Sequence, residues 1–406
     1  MKILVLSYFF PPDQAAGAFR ASALCEALEK HSSTDITVVC AEPNRYATWK
    51  PELPDIDDSR ESRGAKVIRI KTPNHANGLV DQIASYAVFV FKALKHVRKR
   101  DFDIVYASSS KLMTAVLGAV IARFKAATLY LDIRDLFVDS LGSVLPASLN
   151  VIMKPVLITL EVFALKTASR VNIVSPGFLK HVRRNVPASR ISVITNGIDK
   201  EFASYSWDKR GRALTGRRKI VYAGNLGEAQ GLHQIVPFVA KNLEQHYEFL
   251  IIGDGGRKQN LLDSLGDARV NNVKVCAPVA RKELLHVYDS ADLLFLHLNR
   301  HPAFKRVIPS KIFEYGASGR PIIAGLDGTP REFMKDHLPD TLIFDPCDAA
   351  GMTNLLLKLE PTGCAEDRTS FISAFGREAL MEDLAKSVIA SREDGNTASG
   401  STKRCR

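Results

Sequence analysis

The sequence predicts an α/β protein of two successive Rossmann-like, doubly wound halves whose loops face a central cleft. Three observations predict it. Short runs of β-branched and leucine residues alternate with helical patterns along most of the chain, which implies parallel sheets covered on both faces. A loop containing glycine follows the first strand of each half, as in mononucleotide-binding units. The 406 residues, 46% hydrophobic and 24% charged, suffice for two domains of about 150 to 200 residues, each with its own core.

In chain order, Lys2–Tyr8 reads as a buried strand ended by Phe10-Pro11-Pro12. The loop PPDQAAGAF carries Gly17 but no G-x-G-x-x-G, so it does not argue for a dinucleotide. A helical pattern over Ala18–Lys30 follows and carries Arg20. Further strands are predicted at Asp35–Cys40, Lys66–Lys71, Asp103–Ala107, Thr128–Ile133, Val171–Ser175 and Ile191–Ile194. Long apolar segments cover Asp81–Lys99 and Val144–Ala168. Asn196-Gly197 is a turn signal, and the polar, basic stretch Tyr205–Lys219 reads as the inter-domain linker.

The second half restarts the pattern. Lys219–Ala223 is a predicted strand, 224–231 a loop with three glycines, and Leu232–Leu243 a helix. Phe249–Ile252 ends in Gly253-Asp254-Gly255-Gly256, a turn where backbone can approach a ligand closely. Strands at Val273–Cys276, Leu293–Leu298 and Pro321–Ala324 alternate with helices at Arg281–Ser290 and Ser310–Ser318. The predicted boundaries are 1–200, 201–370, a terminal amphipathic helix 371–392 packing back on the first domain, and a disordered tail 393–406.

The net charge of +11 calls for a polyanionic partner: nucleic acid, an acidic membrane surface or a phosphorylated substrate. Basic residues spread over helix ends and a linker, without an aromatic-basic module, argue against nucleic acid. Six cysteines without a C-x-x-C pair suggest neither a zinc site nor a disulfide framework, and a reducing cytoplasm fits them. The N-terminus MKILVLSYFFPP lacks a small-residue cleavage site and reads directly as a strand. No run reaches the ~18 to 20 apolar residues that span a bilayer. Asp81–Lys99 nevertheless ends in the basic cluster Lys92, Lys95, His96, Arg98, Lys99 and Arg100, the pattern of a helix lying on an anionic membrane surface. A buried helix with a solvated basic end accounts for the same residues.

Two clusters carry chemistry. In Val307–Gly319, VIPSKIFEYGASG, Pro309 precedes a helix start, Ser310 is placed to cap it, and Lys311 adds charge to a helix N-terminus that attracts phosphate. Glu314 suits two neighbouring hydroxyls, as a ribose offers; an ordinary capped helix with a surface Lys and Glu is the plain alternative. In Asp132-Ile133-Arg134-Asp135 the charges sit at the carboxyl end of a strand, where parallel sheets bind ligands, with an internal Asp-Arg salt bridge as the alternative.

Taken together, the opening strand with its PP and Gly17 loop, DIRD, SPGF at Ser175–Phe178, ITNGID, VYAGNLGEAQGL at Val221–Leu232, IIGDGG and VIPSKIFEYGASGRPIIA resemble a family 4 retaining glycosyltransferase of the GT-B fold. Within it the chain is most similar to bacterial transferases of the L-fucosamine transferase type that build capsule and O-antigen units. The resemblance implies metal-independent transfer, with no cofactor, from a nucleotide diphosphate sugar, a UDP-sugar favoured, to a polyprenyl-linked or glycan acceptor. The cysteines and the basic-ended and apolar helical segments, for their part, predict a cytoplasmic protein, peripheral on the inner membrane face. The resemblance assigns donor binding to Gly17, Asn196, Gly224, Asn225, Gln230, Gly255, Ser310, Lys311 and Glu314, catalysis to Asp135 with Arg134, and the acceptor side to Arg20.

The chain departs from the family pattern at several points. Asn225 and Gln230 stand where the wider family has Arg and Lys, and Lys305 and Arg306 lie near the position of the first Glu of Glu-x7-Glu. Arg134 beside Asp135 occupies the place of a common histidine. A nucleotide-sugar epimerase of the same architecture and a catalytically silent nucleotide-binding scaffold are the competing readings.

Overall fold

The computed structural model describes residues 1–402 except 14, 32–33, 44–60, 63, 74–78, 110, 137, 139–146, 209–215 and 360–365. Part of the expected linker, at 209–215, and the last four residues of the expected tail therefore lie outside the described residues. The chain divides into two compact units, Met1–Asn196 with Glu378–Arg406, and Gly197–Arg377.

In the first unit, β1 (Lys2–Leu6), β2 (Asp35–Ala41), β3 (Glu61–Ser62), β4 (Ala65–Ile70), β5 (Ile104–Ser108), β6 (Thr128–Ile133), β7 (Arg170–Ile173) and β8 (Ile191–Val193) form one sheet. Its order is β3-β4-β2-β1-β5-β6-β7-β8, parallel apart from β3 on β4. Ile3 to Leu6 are fully buried, which explains why β1 reads as an unbroken apolar run. The strand order reverses between β1 and β5, where such sheets open a ligand crevice.

Right-handed crossovers decide which helices share a face. Leu79–Val97, Leu112–Lys125 and Ala147–Thr167 join β4 to β5, β5 to β6 and β6 to β7, all stepping the same way along the sheet, and so cover one face. Ala16–Glu29 steps the other way, and its Ala21, Leu24 and Leu28 pack in one cluster with Met381, Leu384 and Val388 of the C-terminal helix.

The second unit has β9 (Arg218–Ala223), β10 (Tyr247–Ile252), β11 (Val273–Cys276), β12 (Leu293–His297), β13 (Ile322–Gly325) and β14 (Leu342–Phe344), in the order β11-β10-β9-β12-β13-β14. Every pairing is parallel, and the reversal falls between β9 and β12. Both halves thus have the doubly wound topology expected. The sequence did not reveal the short strands β3 and β14, the polar helices Lys258–Asp267 and Thr329–His337, or the helix Ala349–Lys358.

The C-terminal prediction needs correction. Instead of one helix over 371–392 there are two, Thr369–Phe375 and Arg377–Thr402, broken at Gly376. Ile198 N–H donates to the Phe375 carbonyl at 2.7 Å and Arg377 N–H to Ile198 at 2.8 Å, so the chain bridges there instead of coiling on. Phe371 stacks on Phe313 and Phe375 packs against it at a tilt, all in the second unit, whereas Met381 to Val388 belong to the first. The second helix also continues past Arg392 into the stretch expected to be disordered. No proline follows, so the backbone ladder persists after the apolar stripe ends.

Candidate active site

In the second unit the carboxyl ends of β9, β10 and β12 converge on backbone. Gly224 N–H donates to Ile252 at 2.9 Å, Leu226 N–H to Asp254 at 2.9 Å and Arg257 N–H to Leu226 at 2.8 Å, so the 224–231 loop lies against the 253–257 turn. There is no room for side chains between them. A Cβ on Gly253 would overlap the Gly224 carbonyl oxygen, and one on Gly255 would sit 2.7 Å from the Leu226 carbonyl. These glycines are demanded by close approach of one loop to another.

Asn225 and Gln230 close the same loop, Nδ2 donating to Oε1 at 2.9 Å. They are a neutral pair satisfying each other. The loop is held from behind by His297 at the end of β12. Cys347 N–H donates to its Nε2 at 2.9 Å, which leaves the proton on Nδ1, donated to the Gln230 carbonyl at 2.6 Å. Burial between Phe295 and Phe344 pulls the imidazole down to about 4, the Gln230 hydrogen bond only partly opposing it. His297 is therefore neutral near pH 7.

The helix Lys311–Ser318 follows β12, and its Tyr315 hydroxyl accepts from Ala223 N–H at 3.1 Å, fixing it to the end of β9. Ser310 has αR backbone angles and its side chain makes no cap, contrary to expectation. Ile312 N–H donates to Pro309 instead, so the first turn is wound from Pro309 onward.

Glu314 is buried in the first turn. Its Oε2 accepts from Lys311 Nζ at 2.7 Å and from the Tyr288 hydroxyl at 3.1 Å, and Arg281 stands 3.7 Å from Oε1. Burial pushes this carboxyl up, but Lys311 and Arg281 outweigh it and the net direction is down. Burial and then Glu314 push the Tyr288 hydroxyl well above its usual range, so it remains a donor. Arg281 also pairs with Asp199, which Arg377 holds from the other side. Lys311 is thus paired with Glu314, on the same first turn of the helix.

In the first unit Asp132, not Asp135, is the buried carboxylate of the DIRD segment. Arg20 grips it with Nε at 2.9 Å and NH2 at 3.1 Å, Tyr106 donates at 2.8 Å and Asn172 at 2.7 Å. Burial raises this carboxyl, Arg20 more than reverses it, and the net direction is down. Arg20 is 1% exposed and also donates to the Ile194 and Thr195 carbonyls, which corrects its assignment to the acceptor side. Its side chain crosses the interior to the end of β8.

That crossing positions Asn196, whose Oδ1 accepts from Arg134 NH2 at 2.9 Å. Arg134 N–H in turn donates to the Ser109 hydroxyl at 3.1 Å, and Asp135 is exposed beside it. Gly17 lies in the first turn of Ala16–Glu29, not in a loop before it. The structure therefore brings Gly224, Asn225, Gln230 and Gly255 together, sets Lys311 with Glu314 and Ser310 nearby, and joins Arg134 to Asn196. Sequence reasoning missed Tyr288, Arg281 and His297 as partners in these clusters, and no periodicity or spacing marks them. Among the described residues no cluster of three His, Cys, Asp or Glu side chains is placed to hold a metal ion.

The two units coincide with two family models. Residues 17–197 match a glycosyl transferase 4-like domain and residues 206–374 match glycosyl transferases group 1. The chain belongs to the glycosyltransferases of the GT-B fold. Its fold is shared with Anabaena Alr3699/HepE in complex with UDP and glucose, at TM-score 0.68 and 16% identity over 96% of this chain and 100% of that one. An α,α-trehalose-phosphate synthase (UDP-forming) from Burkholderia xenovorans matches at TM-score 0.67 and 14% identity, covering 95% and 99%. The lipopolysaccharide outer core galactosyltransferase WaaB matches at TM-score 0.63 and 13% identity, covering 96% and 99%. No curated protein sequence matches the chain.

Proposed function

We propose that this glycosyltransferase moves a sugar, with retention and without a metal, from a nucleotide diphosphate sugar to a polyprenyl-linked or glycan acceptor in bacterial surface polysaccharide synthesis. The observation that carries the reading is Glu314, a buried carboxylate kept charged by Lys311 and Arg281 on a helix fixed to the end of β9. A charged acceptor held rigid in this way suits the two hydroxyls of a ribose. Amides of the 224–231 loop other than those of Gly224, Leu226, Gln230 and Gly231, which are bonded within the fold, suit the diphosphate together with Lys311, and stabilising that leaving group while the acceptor is aligned supplies most of what transfer requires. Arg134 and Asp135 are assigned to the reacting end, with Asn196 orienting Arg134. UDP is favoured as the nucleotide because the neighbouring HepE structures hold UDP or UDP-glucose.

The neutral Asn225–Gln230 pair favours a second reading, a nucleotide-binding scaffold without turnover, because it offers no cation to the diphosphate. Thermal shift with UDP, GDP, ADP and dTDP tests binding: a ligand at 100 times its Kd stabilises by about 2.7 kcal/mol. Release of nucleoside diphosphate from a UDP-sugar, dependent on added acceptor, then separates transferase from scaffold. Binding without release supports the scaffold; no response to any nucleotide overturns both.

A further inference from the structure

A diphosphate brings charge that the second unit has to meet, and the loop assigned to it offers little. Asn225 and Gln230 are neutral and bonded to each other. Gly227 packs against both, since a Cβ there would run into Asn225 Nδ2 and meet Gln230 Oε1 at 3.2 Å. His297, behind the loop, is uncharged near pH 7. His233 follows in the first turn of Leu232–Asn242, where burial pulls its imidazole down and Glu228 only partly opposes this, so it adds no charge either. Lys311 is already paired with Glu314.

Arg257 is a cation that does reach the loop. It ends the 253–257 turn, where its N–H donates to the Leu226 carbonyl at 2.8 Å, so its backbone is fixed to the loop. Its guanidinium turns to the loop tip, Nε donating to Glu228 Oε2 at 2.6 Å. Asn299 steadies Glu228 in turn, its Nδ2 donating to the Glu228 carbonyl at 3.0 Å and to Oε1 at 3.3 Å. Arg257 is 46% exposed and Glu228 35%, so both are open to solvent. The next cation along, Lys258, stands 3.9 Å from Asp254 of the same turn. A carboxylate at the tip of a loop whose amides are assigned to phosphate would by itself repel the ligand. Folding stability does not account for it, because an exposed ion pair contributes little. Holding Arg257 at the tip does account for it. A guanidinium that exchanges a carboxylate for a phosphate keeps charge-assisted hydrogen bonds throughout, and its planar fork suits two phosphate oxygens better than an ammonium does.

We propose that Arg257 is the cation that binds the diphosphate in this chain, and that Glu228 holds it at the loop tip until a phosphate displaces the carboxylate. This role rests on the 224–231 loop being the diphosphate position. The test is calorimetric titration of the full chain with UDP, uridine and inorganic pyrophosphate at low and high salt. Arg257→Gln weakens UDP and pyrophosphate by about tenfold to a hundredfold and leaves uridine unchanged. Arg257→Lys, which keeps the charge but not the fork, recovers part of the loss. Glu228→Gln removes the competing carboxylate while keeping an acceptor for Asn299, and it tightens UDP severalfold at low salt and less at high salt. Thermal unfolding of all three variants matches wild type, the pair being exposed. UDP affinity unchanged in Arg257→Gln overturns the proposal and leaves the nucleotide site standing. Equal losses of UDP and uridine in Arg257→Gln and Glu228→Gln make the pair a strut that shapes the loop, and overturn it as well. A wild type that binds neither UDP nor pyrophosphate overturns the assignment of the site itself, and the role of Arg257 falls with it.

Discussion

The Lys311 ammonium lies 2.7 Å from Glu314 Oε2, so two residues that the sequence assigned to different parts of a nucleotide form one pair. Removing either one changes the other. Glu314→Ala is expected to weaken uridine and UDP alike by roughly tenfold to a hundredfold, from hydrogen bonds to a charged group worth about 1.5 to 3 kcal/mol. Lys311→Ala is expected to weaken UDP more than uridine, yet not to spare uridine, because it leaves Glu314 short of a partner. The double substitution then loses less than the sum of the singles, by about 0.5 to 3 kcal/mol. Calorimetric titration with both ligands checks this; additive losses would mean that the pair does not act as a unit.

Arg20 and Asp132 should behave as a structural pair. Arg20→Met leaves a fully buried carboxylate without its main partner and is expected to cost about 3 to 5 kcal/mol in urea unfolding at pH 7. The native Asp132 carboxyl is held below its ordinary value, so its contribution is complete above about pH 4 and is lost as pH falls through that lower native value. Asp132→Asn is expected to flatten the stability curve in that acid range. An Arg20→Met protein as stable as wild type would restore Arg20 as a candidate for binding an acceptor.

What the sequence disclosed follows from what each feature depends on. Buried parallel strands such as Ile3–Leu6 and Leu293–His297 are apolar on both faces, and that shows in any reading of the chain. β14 has three residues and Lys258–Asp267 is polar outside Leu261, Leu262 and Leu265, so neither stands out from a loop. The glycines at 253 and 255 were visible because only glycine fits where loop meets loop. The partners of Glu314 were not, because Tyr288 and Arg281 arrive from a different helix and reach it only once β9 and β12 lie side by side. Ser310 misled for a local reason: a serine before a helical run looks like a cap, but its αR backbone makes it part of the turn.

The 224–231 loop owes its shape to the turn it leans on. Gly253→Ala would drive a methyl into the Gly224 carbonyl oxygen, which no rotamer change relieves because both partners are backbone. Overpacking of this kind is expected to cost about 1 to 3 kcal/mol. Nucleotide affinity should fall with it, because Gly224 and Asn225 shift. Gly256→Ala is the control, since a Cβ there meets nothing within 4 Å and should change neither quantity. Thermal unfolding and UDP titration of the two variants decide the matter, and equal behaviour of both would detach the turn from the site.

His297 gives the sharpest dependence on pH. It is neutral in the fold, with an imidazole near 4 against about 6.5 in the unfolded chain, so between these values the unfolded state binds more protons. Stability from this residue is therefore complete above about pH 6.5 and is lost as pH falls toward 4, by about 3 kcal/mol in all. His297→Gln removes the titration and is expected to be less stable than wild type at pH 7 but flatter across that window in urea unfolding. The same substitution loosens the Gln230 carbonyl that the imidazole holds at 2.6 Å, so UDP affinity should fall severalfold at pH 7 while the Glu314 pair is untouched. A loss of stability with affinity unchanged would confine His297 to the core, whereas parallel losses would show that it sets the loop on which the diphosphate is proposed to lie.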